Sequence, residues 1–185
     1  MYVHIAEFEK FLQEYERELF SFCKYITMDE HVARDLYQDT VLDAFTIISR
    51  IDSTNNPKSF LFSIAIGKWK NMRRKVARRQ KIAPEMPLED AYLASNSSDF
   101  SSRTKYGNPE VEMQRSMLNE HIQKALSEIK EKFRIPLILF YFEDYPTETI
   151  ATICKIPTGT VKSRLHKGRA LLKKALEKEG YTNGV

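Results

Sequence analysis

The chain has 185 residues, a formal net charge of +4 and a hydrophobic content of 42%. This size allows one medium domain or two small ones, and the composition is that of a globular protein with a real core. No apolar run of about 18 residues is present and the N-terminus lacks secretory-signal features, so we expect a cytoplasmic protein without membrane insertion. Cys23 and Cys154 lie within apolar helical patterns, which predicts buried thiols in a reducing compartment.

Helical periodicity runs through almost the whole chain, and glycine is scarce, which predicts an all-α protein. A first amphipathic helix carries an apolar stripe from Phe8 to Ile26. A second helix is predicted over about Asp29–Ile51 and a third over about Pro57–Arg79, where proline suits a helix start. Acidic residues predominate in the first two helices, whereas 68–81 holds eight basic residues and no acidic one. This asymmetry predicts contacts with a basic partner and with a polyanion.

The composition changes after the third helix. Residues 84–108 lack sustained periodicity and are rich in Ser, Asn and Asp, which predicts a flexible linker with at most a short helical piece. The helical pattern resumes at Pro109 with an apolar stripe from Met113 to Ile129, and a nearly all-apolar helix is predicted over Ile135–Phe142. We therefore predict two small helical domains and a linker, with the boundaries 1–80, 81–108 and 109–185.

The stretch from Thr147 to Lys174 predicts a helix-turn-helix. A short helix breaks at Lys155-Ile156-Pro157, because proline disfavours helix at its predecessor, and Thr158 is the expected N-cap of the next helix. In that helix the residues expected to be buried share one side, at Val161, Leu165, Gly168 and Leu172. The residues expected to face outward are Lys162, Ser163, His166, Lys167 and Ala170, with Arg164 and Arg169 at the margins. Such a helix suits the DNA major groove, while the alternative is a solvated basic helix.

Four runs resemble one protein family, in the same order as in that family. IPTGTVKSRLHKGRALLKKAL resembles the C-terminal DNA-binding region of extracytoplasmic-function (ECF) sigma factors of bacterial RNA polymerase, and LNEHIQKALSEIKEKFRIPLILFYFEDYPTETIA resembles the first helices of the same domain. ARDLYQDTVLDAFTII is similar to the family's helix that binds core polymerase. NPKSFLFSIAIGKWKNMRRKVARR is similar to its promoter-melting helix. The resemblance covers nearly the whole chain.

The resemblance implies a subunit that binds core polymerase, recognises the −35 and −10 promoter elements, aids melting, and is held inactive by an anti-sigma factor until a stimulus arrives. The residues implied in −35 contacts are Thr158, Gly159, Thr160, Lys162, Ser163, Arg164, His166 and Lys167. Those implied in −10 contacts are Asn55, Asn56, Lys68, Lys70, Arg73 and Arg74. Those implied in binding the clamp coiled coil of the largest polymerase subunit are Asp35, Gln38, Asp39 and Leu42.

The acidic side of the second helix has three interpretations. Its buried stripe is expected at Ala33, Leu36, Tyr37, Thr40, Val41, Ala44, Phe45 and Ile48, and its outward residues at His31, Asp35, Gln38, Asp39, Leu42 and Asp43. A metal site at His31, Asp35 and Asp39 is disfavoured, because a straight helix spreads these residues over more than two turns. A solvated face does not explain an apolar Leu42 among acids. Protein docking does explain it, and we adopt that interpretation.

One feature of the third helix and one of the loop before it, Asp52 to Lys58, stay open. Trp69 is either a stacking platform for single-stranded DNA or a core residue on the stripe that includes Leu61 and Ala65. Asn55 and Asn56 have the donors and acceptors to read a flipped base, as the resemblance implies, but Asn-Asn-Pro is also an ordinary turn.

The sequence departs from the family pattern at three positions. Lys155 replaces the usual glycine of the turn, which predicts a non-glycine residue at positive φ at a cost of about 1 kcal/mol. Lys130 replaces a usual proline. Gly67 replaces the usual asparagine of the melting helix, which leaves the role of that position open.

Two other classes of function compete with a sigma factor. A regulator that binds an operator through the same helix-turn-helix would need a sensor, and the first 80 residues show only a helical bundle. An enzyme acting on nucleic acid would need a catalytic constellation, and no paired carboxylate, Cys/His or Ser/His/Asp arrangement has supporting context. No GxxxxGK[ST] motif is present either, so we expect neither catalysis nor a cofactor.

Overall fold

A computed structural model of the chain describes residues 2–47, 57–82 and 120–180. Within these ranges the chain forms seven helices and no strand, which confirms the all-α class. The helices are α1 (Tyr2–Thr27), α2 (Glu30–Thr46), α3 (Pro57–Ile82), α4 (120–127), α5 (Glu131–Tyr141), α6 (Thr147–Cys154) and α7 (Thr158–Lys178). The predicted linker, the resumption at Pro109, and Asn55, Asn56 and Ile48 lie outside the described residues.

The first three helices form a bundle in which α2 packs against both α1 and α3. Most of the predicted α1 stripe is buried, while its members Phe11, Leu12 and Tyr15 are half-buried against the core. The Phe22 and Phe62 rings stack with centroids 4.4 Å apart and planes 14° apart. The start of α2 is fixed by Asp29, whose carboxylate accepts a hydrogen bond from the Val32 N–H at 2.9 Å. The helix therefore begins where the sequence predicts, next to an acidic N-cap.

The C-terminal half is built around α5, which packs against both α6 and α7. This helix begins at Glu131, four residues before the predicted start at Ile135. The sequence prediction was too short because it followed apolar residues only, whereas an acidic residue suits the first turn of a helix. The axis of α7 comes close to α5 at Gly168, where a Cβ would lie 3.1 Å from the Leu137 side chain. Glycine thus sets how closely these helices approach.

The turn of the helix-turn-helix has the predicted strain. Lys155 ends α6 at φ 55° and ψ 52°, in the left-handed region, and the next N–H, of Ile156, donates to the Ala151 carbonyl at 3.1 Å. The predicted N-cap at Thr158 is wrong by one residue. Pro157 is the cap, because its backbone carbonyl accepts from Val161 at 3.1 Å and its fixed φ already sets the entry to α7.

The two halves contact each other along α3 and α6 and along α1 and α5. Both cysteines are buried, as predicted. Burial raises the pKa of the Cys23 thiol to about 12 and that of Cys154 to about 11. In the part of the chain that the structure describes, no helix has the length and apolar character to cross a membrane.

Candidate nucleic-acid interface

The outward side of α7 is exposed as the helical spacing predicts. Lys162, Ser163, His166 and Lys167 point to solvent, while Val161 and Leu165 are buried. The first turn of α7 carries Gly159, which is exposed, and Thr158 and Thr160, which are half-buried, and Arg164 in the second turn is half-buried. The structure therefore presents all eight sequence-predicted −35 residues from one helix, with amines and hydroxyls that suit base edges and phosphates.

Local contacts make these donors unequal. The Lys167 ammonium lies 5.6 Å from the centroid of the Phe133 ring, and the Ser163 hydroxyl donates to the Thr160 carbonyl at 3.0 Å. Glu148, at the start of α6, has its pKa held below the usual range by its own backbone N–H, by the Thr147 hydroxyl and by the charge of Lys162. Lys162 therefore faces an acidic neighbour that sequence reasoning missed.

The acidic side of α2 is a second exposed surface. Asp35, Gln38 and Asp39 are exposed, and Leu42 is 64% exposed, which is unusual for a large apolar residue with no covering partner in the described chain. Phe45 was predicted to be buried, but it is 44% exposed. The reason is angular, because Phe45 lies about 100° beyond Ala44 around the helix and so borders Leu42. Its ring meets the Phe8 ring edge-on, with centroids 5.5 Å apart.

The metal interpretation of this face finds no support in the described residues. No three His, Cys, Asp or Glu side chains gather there as a metal site would require. His31, Asp35 and Asp39 instead stand exposed along the helix.

The packing of α3 resolves the question of Trp69. The side chain is 3% exposed and belongs to the hydrophobic core, so the core interpretation holds in this structure. Its indole N–H has no acceptor among the described residues, and the Arg73 guanidinium lies 5.7 Å from the ring centroid. Trp69 thus supports the helix from beneath instead of offering a stacking platform.

The basic residues of α3 make protein contacts of their own. Lys68 forms an ion pair at 2.8 Å with Asp43, a residue of the acidic helix α2. Lys70 donates to the Cys154 carbonyl at 3.2 Å, and Arg73 approaches Glu131 at 3.7 Å, both in the C-terminal half. Arg74 is exposed. The four predicted −10 cations of α3 therefore share one helix, although three of them are engaged by other parts of the chain.

Arg134 is a buried cation that the sequence did not reveal. Its guanidinium donates to the carbonyls of Leu126, Ile129 and Ile26 at 3.3, 3.4 and 2.9 Å. Burial lowers the pKa of this group to about 10, against a smaller opposing effect of Glu131. Only the position of an arginine inside an otherwise apolar run, FRIPLILF, could have signalled it.

Two family models match the chain. The one described as Sigma-70 region 2 matches residues 11–79, which include α2, and the one described as Sigma-70, region 4 matches residues 120–172, which include the helix-turn-helix. The chain belongs to the sigma-70 family. Within that family it is an ECF sigma factor, in agreement with the resemblance of the four sequence runs.

Named relatives cover most of this sigma factor. It is 26% identical over 169 residues to the ECF RNA polymerase sigma factor SigW of Bacillus subtilis, which covers 88% of this chain and 84% of the relative. It is also 26% identical over 171 residues to the RNA polymerase sigma-H factor of Pseudomonas aeruginosa, with 92% and 86% covered.

A solved structure shares the fold of this sigma factor. It is the sigma factor RpoE in complex with the anti-sigma factor NepR, from Bartonella quintana, with a TM-score of 0.72 and 23% identity. The match covers 92% of this chain and 97% of that chain.

Proposed function

We propose that this sigma factor binds core RNA polymerase and directs transcription initiation from promoters that it recognises by their −35 and −10 elements. The observation that carries the proposal is the outward side of α7. Its exposed hydrogen-bond donors lie on the second helix of the helix-turn-helix, within the region 4 match. We propose the boundaries 1–80, 81–108 and 109–185 for the −10 domain, the linker and the −35 domain. A tether lets two weak DNA contacts act together through effective concentration.

The acidic side of α2 is the surface that we assign to core polymerase. Asp35, Gln38, Asp39 and Leu42 combine charge with one exposed apolar side chain, the composition of a docking patch for a basic partner. Phe45 extends the apolar part of that patch. The partner proposed is the clamp coiled coil of the largest polymerase subunit.

The −10 element is assigned to α3. Lys68, Lys70, Arg73 and Arg74 supply cations for phosphates on a helix that Trp69 anchors in the core. Asn55 and Asn56, outside the described residues, are proposed to read a flipped base.

Three further assignments belong to this proposal. We place the protein in the cytoplasm, where polymerase and promoters are. The chain contributes recognition and no bond-making step, as a transcription initiation factor without an enzyme activity of its own. An anti-sigma factor is proposed to hold it inactive, in analogy with the NepR complex of the similar RpoE structure.

The experiment is reconstitution with purified core polymerase. Co-purification of the chain with core, followed by run-off transcription from genomic fragments, should give transcripts with defined start sites that core alone does not make. If the chain binds specific duplex DNA but neither co-purifies with core nor supports run-off synthesis, it acts as an operator-binding regulator and the proposal is wrong.

A further inference from the structure

Gly67 is an exposed glycine near the middle of α3. Glycine weakens a helix relative to alanine, because the unfolded backbone has more freedom to lose. Two internal reasons for a glycine do not apply here. Its φ is not in the left-handed region, and an added Cβ would meet no packing neighbour within 4 Å among the described residues. At Gly168, by contrast, the same Cβ would lie 3.1 Å from Leu137.

The residues that share the outward side of α3 with Gly67 are polar or basic. Positions four residues before it and four, seven and eleven residues after it lie within about 40° of it around the helix. They are Ser63, Asn71, Arg74 and Arg78. The last three are exposed, and their side chains make no ion pair or hydrogen bond within the described residues. This side of α3 is therefore available to a partner.

The charge of this side favours a polyanion. Residues 68–81 hold eight basic residues and no acidic one. Arg74 and Arg78 stand about one turn apart on the helix, so their guanidinium groups can contact successive phosphates of one strand. Asn71, one turn before Arg74, adds an amide with both a donor and an acceptor. The proposed role of α3 in promoter opening makes single-stranded DNA the occupant that fits.

We propose that a single DNA strand crosses α3 at Gly67, with its sugar-phosphate chain packed against the main chain of the helix. This crossing rests on the proposed contact between α3 and the −10 element. Glycine leaves room for another backbone to come this close. The strand then passes between Ser63 and Asn71, with its phosphates in reach of Arg74 and Arg78. A side chain at position 67 holds the strand away, and a gap of about 1 Å forfeits up to about half of the van der Waals attraction.

The first test enlarges the side chain at position 67 in the holoenzyme. The probe is a fluorescent single-stranded oligonucleotide with the −10 sequence of a promoter mapped by run-off transcription. Gly67→Ala should weaken its binding by about three- to tenfold and Gly67→Leu by more than about tenfold, as measured by fluorescence anisotropy. Ala77→Leu, at an exposed site about 80° away around α3, is the matched control and should bind like the parent.

The second test asks whether the lost binding comes from a damaged fold. Alanine is the better helix former, so Gly67→Ala should raise the melting temperature of the free chain by about 2–4 °C while it weakens strand binding. Effects of opposite sign identify a lost contact with DNA. A lower melting temperature of Gly67→Ala would show that the glycine serves the fold, and it would overturn the crossing.

The third test measures how binding depends on salt. Gly67→Leu removes no charge, yet it should flatten the plot of log affinity against log salt by about 0.7 units, because Arg74 loses its phosphate. Adding Arg74→Ala to Gly67→Leu should then weaken binding less than Arg74→Ala does in the parent. An unchanged slope with additive effects of the two substitutions would contradict the crossing.

The outcomes separate the crossing from the proposed function. If both Gly67 variants bind the oligonucleotide like the parent while Arg73→Ala with Arg74→Ala weakens binding, α3 contacts DNA elsewhere and only the crossing is wrong. If neither the Gly67 variants nor the arginine variant changes strand binding, the proposed role of α3 fails as well. Loss of co-purification with core polymerase in Gly67→Leu would assign this side of α3 to a protein partner and overturn the crossing.

Discussion

Arg134 joins the two halves of the chain through the main chain of Ile26, 108 residues earlier, by a hydrogen bond of 2.9 Å from Nη2 to the carbonyl oxygen. The same guanidinium also binds two carbonyls at the end of α4. A cation suits this position because the last carbonyls of a helix carry negative partial charge. One side chain thus closes the C-terminal ends of two helices.

Replacing Arg134 by Lys should lower the free energy of unfolding by about 1–3 kcal/mol, because an ammonium keeps the charge but cannot reach three carbonyls in the guanidinium geometry. The pKa lowered by burial means that the charge itself costs stability below pH about 10, a cost relieved as pH rises, so the hydrogen bonds must offset it at neutral pH. Urea unfolding followed by circular dichroism measures the change. Lys174→Met, at an exposed site of α7, is the control, and an equal effect of both would contradict the prediction.

The docking surface is tested by Asp39→Arg combined with Leu42→Ala. Both side chains are exposed, so the fold should be unchanged, while binding to core polymerase should weaken by more than about tenfold. Co-purification with core measures binding, and circular dichroism checks the fold. Glu177→Arg, far along α7, gives the same charge change at another exposed site. Undiminished co-purification of the double variant would remove α2 from the interface.

Promoter melting is tested by Arg73→Ala with Arg74→Ala. The two substitutions should slow open-complex formation more than they weaken polymerase binding, because we propose that both guanidinium groups bind DNA phosphates. Permanganate footprinting of a linear promoter measures opening, and Lys173→Ala with Lys174→Ala on α7 is the matched control. A pre-melted bubble should restore transcription at least in part. No rescue by the bubble would mean that the arginines act at another step.

The proposed −35 contact of α7 is tested by Lys162→Ala and Lys167→Ala in the holoenzyme, on a panel of single-base −35 variants. Replacing a lysine that contacts a guanine should reduce the binding free energy by about 1–3 kcal/mol and relax the base preference at that base pair. Replacing a lysine that contacts phosphate should weaken binding evenly across the panel and flatten the salt slope by about one unit. We expect the larger effect at Lys162, because Lys167 also lies over Phe133. Parental binding of the whole panel by both variants would exclude this face.

A control within the same helix separates recognition from folding. Val161 is fully buried, so Val161→Asp places a charge in the core and should unfold the C-terminal half. Loss of its circular dichroism signal, together with loss of −35 binding, is the expected result.

Lys155→Gly should stabilise the protein by about 1 kcal/mol, because glycine adopts the left-handed conformation of this turn without the steric cost of a Cβ. The melting temperature measures the gain. Lys132→Gly, at an exposed site within α5, should change stability by a similar amount in the opposite direction. A lower melting temperature for Lys155→Gly would show that the lysine side chain contributes more than its backbone costs.

The sequence was sufficient for the features that repeat along a helix. Apolar spacing predicted the buried stripes of α1 and α7, and the proline with the missing glycine predicted the strained turn at Lys155. Single positions at the margin of a stripe or at a helix end were harder to predict. Phe45 lies just outside the buried stripe of α2, and the N-cap of α7 is Pro157, one residue before the predicted position.

The contact between the halves could not be predicted from periodicity. Arg134 and Glu143 find their partners more than 80 residues away, and no local pattern encodes such a distance. Trp69 illustrates the same limit, because the sequence placed it both on a stripe and among cations, and only the packing of α1 to α3 decided between them.

Two of the polar links between the halves end on main-chain carbonyls, those of Ile26 and Cys154. A carbonyl is present whatever side chain the residue carries, so substitutions at these two positions leave the acceptors in place. In a saturation mutagenesis screen for weakened contact between the halves, substitutions of Arg134 and Lys70 would therefore remove these hydrogen bonds. Substitutions of Ile26 and Cys154 would leave the hydrogen bonds in place and act only by changing the packing of their buried side chains. Such a screen would identify the donor residue of each hydrogen bond and miss the acceptor residue, although both belong to the contact.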